Sequence, residues 1–144
     1  MKPQKQKYIH APDQGIWGDC ERTAIACLLN MDRDSVPHFA ENFRSHEEVI
    51  YKERVWLAEH GLVPFACPFK CDLPELLQFM AVNNPGLYYL LSGTSRTGCN
   101  HTVVALDDQI VWDPSLSDSG IIGPCDDGYY WIKLYIPRSL SCTP

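Results

Sequence analysis

No stretch of the 144 residues approaches the roughly 20 consecutive apolar side chains that a membrane-spanning helix needs. Positive charge is scarce. Twelve Lys and Arg against 18 Asp and Glu leave a net charge of −6, which lacks the basic footprint of a nucleic-acid binder. The one basic cluster, Lys2, Lys5 and Lys7, reads as a solvated tail. The N-terminal residues contain no apolar h-region, so no secretory signal is expected. Internal repeats and low-complexity linkers are also missing, and a single domain over 1–144 is the expectation. Seven cysteines in such a chain point to a reducing compartment, most simply the cytoplasm, and an odd number cannot all pair internally. What remains is an ordinary globular composition, 45% apolar and 11% aromatic, long enough to bury a core.

Three helices are legible. The first begins near Asp19, which can cap it, and runs to Asn30, which can close it. Its Ala24, Ile25, Cys27, Leu28 and Leu29 cover most of the circumference, as in a buried helix. The second spans Ser45 to His60. Ser45 and Glu48 form a capping box, Gly61 follows as a stop, and Val49, Trp56 and Leu57 make its apolar stripe. The third starts at Asp72 with Pro74 in its first turn and ends before the turn at 83–86.

Strands follow at 87–92, 101–106, 109–113 and 129–136, the middle two joined by Asp107-Asp108 as a tight hairpin. Helices first and an antiparallel sheet second predict an α+β domain of two packed layers.

Chemistry gathers around Cys20. It stands at the predicted first turn of the buried helix, where free N–H groups and the positive end of the helix dipole favour a thiolate. Gly15 and Gly18 before it allow the backbone to bend tightly around a substrate. Gln14 supplies a side-chain amide that can stabilise an oxyanion beside the backbone N–H of Cys20. His101 opens a strand after a Gly/Ser/Thr loop and can act as general base. The hairpin carries Asp113 toward the same end of the sheet, where a carboxylate can fix the tautomer of the histidine. Each residue also has a plainer reading: a core thiol, a loop glutamine, a strand-edge histidine and an Asp-Pro turn starter.

Together, Gln14, Gly-Asp-Cys20, His101-x-Val-Val and Trp-Asp113-Pro resemble the papain-like cysteine peptidase superfamily. The nearest likeness is to the compact peptidases that process double-glycine leaders. The resemblance covers 14–29 and 99–115. It implies a helical half carrying the nucleophile, packed on an antiparallel sheet that carries histidine and aspartate. It also implies Cys20 as nucleophile, His101 as base, Asp113 as orienting acid and Gln14 in the oxyanion hole. The chain departs from the family at Asp113, where classical papain-type proteases have asparagine, and at Glu21-Arg22 after the cysteine.

The expected activity is hydrolysis of an amide-type bond in a protein or peptide through an acyl-enzyme, with no cofactor. Trp17, Gly18 and Asn100 are expected to line the substrate cleft. Transglutaminase-like acyl transfer shares the order Cys, His, Asp. A non-catalytic module is the rival: Cys67 and Cys71, with Cys99, His101 and Cys125, could complete a zinc site.

Overall fold

A computed structural model describes residues 1–142, so the last two residues of the expected domain lie outside it. In chain order the elements are α1 (Cys20–Leu28), α2 (His46–Glu59), β1 (Leu62–Phe69), α3 (Leu73–Asn83), β2 (Tyr88–Thr94), β3 (Asn100–Leu106), β4 (Gln109–Trp112) and β5 (Tyr130–Pro137). The α+β class holds. The strands form one antiparallel sheet in the order β1-β5-β2-β3-β4. Among the described residues, no helix is long and apolar enough to cross a membrane.

The two-layer arrangement is corrected, because both faces of the sheet are covered. Alternation along the strands sends Leu90, Val104 and Tyr135 toward α1 and α2, where Ala24, Ile25, Ala26 and Cys27 are fully buried. It sends Tyr89, Leu91, Val103, Ala105 and Ile132 the other way, against Leu76 and Met80 of α3. Runs such as Tyr89-Leu90-Leu91 and Val103-Val104-Ala105 are apolar on both faces for this reason.

The strand β1 has no counterpart in the sequence reading. Its Pro64 and Pro68 argue against a strand, since proline cannot donate to a ladder. The sheet tolerates them because β1 lies at an edge, paired with β5 alone.

Helix ends largely follow the sequence. Asn30 takes a left-handed φ of 57°, and the N–H of Met31 donates to Ala26 O at 2.9 Å, closing α1 in a Schellman-type turn. Ser45 Oγ accepts the Glu48 N–H at 3.2 Å at the start of α2.

The lysine-bearing N-terminus is not a free tail. Its residues run as a strap from α1 to the end of β4. Lys2 N–H donates to Cys27 O, Gln6 N–H to Pro114 O, and Lys5 Nζ to Asp113 O.

Candidate active site

Asp19 does not cap α1 with its side chain, contrary to expectation. Its carboxylate, almost wholly buried, turns away from the helix. Oδ1 accepts the Lys7 and Tyr8 N–H groups at 2.9 and 2.7 Å, and Oδ2 accepts Arg22 Nε at 3.0 Å. The first intrahelical bond runs from Thr23 N–H to Asp19 O. The N–H groups of the first turn, that of Cys20 included, are therefore not taken up by an Asp19 side-chain cap.

Cys20 is the first residue of α1 and half-buried. His101, the second residue of β3, is buried with 6% of its surface exposed. Its Nε2 donates to Asp113 Oδ1 at 2.7 Å. That bond fixes a proton on Nε2 and leaves Nδ1 unprotonated, with the Cys20 thiol near enough to raise the pKa of the ring.

Burial opposes a charged ring. The Asp113 hydrogen bond and the Cys20 thiol outweigh it, and the imidazole is pushed up to about 9. Burial also works against the Asp113 carboxylate. Hydrogen bonds from His101, Ser115 and Gly120 prevail and hold it well below the usual carboxylate range.

Asp113 reaches His101 because of an irregularity. The hairpin opens with Leu106 opposite Gln109 and Ala105 opposite Ile110. Continued without a break, that register would set Asp113 across from Thr102, on the face opposite His101. A bulge between Val104 and Ala105 moves Trp112 opposite Val104 instead. Val111 and Trp112 then both pack on the α1 side, and the next residue, Asp113, falls on the face that His101 shares with Val103.

The loop beyond fixes the carboxylate. Ser115 N–H donates to Oδ1 and Gly120 N–H to Oδ2, both at 2.8 Å. The Asp-Pro turn and the link to His101 are therefore one structure, not alternatives.

The other expected residues are less engaged. Gln14 sits in a short 3₁₀ turn, Pro12–Gln14, with an exposed side chain and no hydrogen bond tying its amide to the Cys20–His101 pair. Trp17 packs between His10 and Phe43, with ring centroids 4.7 and 4.0 Å away. The space beside Gly18 belongs to the chain itself: a Cβ there would lie 3.0 Å from His10 Cβ and 3.1 Å from His10 N. That glycine admits the N-terminal strap at His10. Asn100 is exposed at the start of β3, and its Oδ1 accepts the Asp126 N–H at 3.1 Å.

The cysteines proposed for zinc do not gather. Among the described residues, no three His, Cys, Asp or Glu side chains are grouped to hold a metal ion. His101 is already committed to Asp113.

Two contributors were missed. Gly93 faces His101 across the β2–β3 ladder, and a Cβ on it would lie 2.5 Å from Gly123 O and 2.6 Å from Ile121 Cγ2. A glycine inside a strand pattern is the available signal, whereas the sequence reading ends this strand at residue 92 and the structure carries it to Thr94. The other is the Arg22–Asp19 pair at the start of α1, whose i,i+3 spacing marks a contact but not its burial.

No family model, curated protein or solved structure matches the chain.

Proposed function

We propose that the protein is a papain-like cysteine hydrolase, cleaving an amide-type bond in a protein or peptide through an acyl-enzyme. The observation that carries this reading is His101, held by Asp113 through Nε2 and lying near enough to the Cys20 thiol for the thiol to raise its pKa. Such an arrangement transfers the thiol proton to the ring and stabilises the resulting pair.

The thiolate of Cys20 attacks the carbonyl carbon, and negative charge moves to its oxygen. The N–H of Cys20, left uncapped by Asp19, would receive that oxyanion. Gln14 would join it only after a movement of the Pro12–Gln14 turn. His101 then gives its proton to the leaving amine, forming the thioester. Water deprotonated by His101 attacks the thioester and releases the acid and the free thiol. Asp113 stays ionised throughout, keeping the ring oriented and its charge balanced. All seven thiols are free, which fits a cytoplasmic setting.

Limiting iodoacetamide, with the modified sites mapped by mass spectrometry, tests the assignment. Cys20 should react first. Burial raises the pKa of the Cys27 thiol, and burial with Asp127 and Asp126 pushes Cys125 up to about 11. Preferential modification of Cys67 or Cys99, with Cys20 inert, would count decisively against the reading.

A further inference from the structure

Both residues flanking the nucleophile are acidic, an arrangement that by itself disfavours a thiolate between them. Asp19 is neutralised within α1 by Arg22 and by the strap's N–H groups. Glu21 has a different partner. The Lys133 ammonium, on the face of β5 that looks toward α1 and α2, forms an ion pair with Glu21. The same ammonium meets Glu53 of α2, with Nζ 2.9 Å from Oε2 and 3.1 Å from Oε1. Tyr135 Oη donates to Glu53 Oε1 at 3.3 Å. Glu53 is only 3% exposed, whereas the Glu21 side chain is about a third open to solvent, so the charge of this cluster reaches its neighbours partly screened.

We infer that Lys133, through its ion pair with Glu21, is a positioning residue that sets the basicity of the Cys20 thiol. This rests on Cys20 being the nucleophile and adds a control on its reactivity from the far side of the helix.

The groups facing Cys20 and Glu21 are few. Asp19 flanks the start of α1, Arg22 belongs to α1 and Glu53 to α2. Lys133 and Tyr135 come from β5, Cys125 from the loop before it, and His101 with Asp113 from the hairpin. Burial disfavours a charged Lys133, but Glu21 and Glu53 outweigh it and raise its pKa, so the lysine stays cationic at any working pH. Two carboxylates against one ammonium leave a net charge of −1 when both are ionised. Above the Glu53 midpoint, which burial and Glu21 raise, Lys133→Met makes it −2, Glu21→Gln makes it 0, and the two together restore −1.

The experiment is the pH dependence of Cys20 alkylation by iodoacetamide, followed on the Cys20 peptide in the wild type, the two single variants and the double variant. The midpoint should rise in Lys133→Met, fall in Glu21→Gln and return close to wild type in the double variant. Each single step should be roughly half to one pH unit, as expected for one charge near a partly solvated thiol. A merely structural role for Lys133 would change the amount of folded protein, checked by circular dichroism, and not this order. If Lys133→Met does not fold, Glu21→Gln still decides, since an unchanged midpoint there overturns the inference. Equal midpoints across the folded series overturn it and leave the proposed function standing. A wild-type Cys20 that never reacts overturns both.

Discussion

Replacing Asp113 with asparagine preserves the side chain's shape while removing its charge, and its consequences can be worked from the hydrogen bonds. The carboxylate accepts three N–H groups, from His101 and Ser115 on Oδ1 and from Gly120 on Oδ2. An amide has a single acceptor oxygen. Turned toward His101 and Ser115, it keeps two bonds and sets its NH₂ against the Gly120 N–H. Turned the other way, it keeps one bond and opposes two donors. The first orientation wins and leaves one half-buried N–H unpaired, a destabilisation of about 1–3 kcal/mol.

The charge acts separately. Moving the imidazole from about 9 to its ordinary 6.5 corresponds to about 3 kcal/mol, an interaction that Asp113 shares with Cys20. Without the carboxylate, burial gains weight and the ring should titrate well below its wild-type midpoint. The folded pKa of His101 lies above its unfolded value. Its contribution to stability is therefore complete below about pH 6.5 and is lost as pH rises through about 9. Asp113, depressed in the folded state, contributes above its ordinary value of 3.8 and loses that contribution in acid. The wild type should therefore exceed Asp113→Asn in stability most between about pH 4 and pH 6.5, and by less near pH 10. Urea unfolding at about pH 6 and about pH 10 measures the difference, and an NMR titration of His101 measures the midpoint. Turnover should fall by about 10²–10⁴-fold, because the amide cannot balance the imidazolium. An Asp113→Asn protein whose His101 still titrates near 9 would refute the reasoning.

Cys20→Ala should remove covalent turnover while leaving the circular dichroism spectrum unchanged; residual turnover would require another nucleophile. Gly93→Ala forces a Cβ against Gly123 O and should lower stability by about 1–3 kcal/mol, which thermal unfolding would register. An unaltered midpoint would mean that the 121–123 segment yields without cost. Asp19→Asn strips the buried Arg22 of its nearer countercharge, leaving Asp34 at 3.6 Å, and should destabilise by about 1–3 kcal/mol. Measuring Arg22→Met and the double variant in the same series gives the coupling, and additive losses would show that the pair is not a unit.

Local signals recovered the three helices, because caps, glycine stops and apolar periodicity act within a few residues. They also marked Cys20 at a helix start and set His101 and Asp113 on one hairpin. Other features depended on partners distant in the chain. The strap hides the carboxylate of Asp19, which the sequence presents as a helix cap. An edge position makes room for two prolines in β1, and packing on both faces turns the expected two layers into three. Lys133 and Glu21, 112 residues apart, meet only once β5 pairs with β2, on which α1 packs.

The sequence by itself determined which groups are available: one cysteine at a helix start, one histidine at a strand start and one aspartate after the hairpin. Whether the last two touch was decided by tertiary structure. In the hairpin's regular register, Asp113 would have faced away from His101. The bulge at Val104 and Ala105, which seats both Val111 and Trp112 in the core beneath α1, turns it back. Side-chain direction along a strand alternates with every residue, so one extra residue reverses it, and the choice rests on packing that no local pattern encodes.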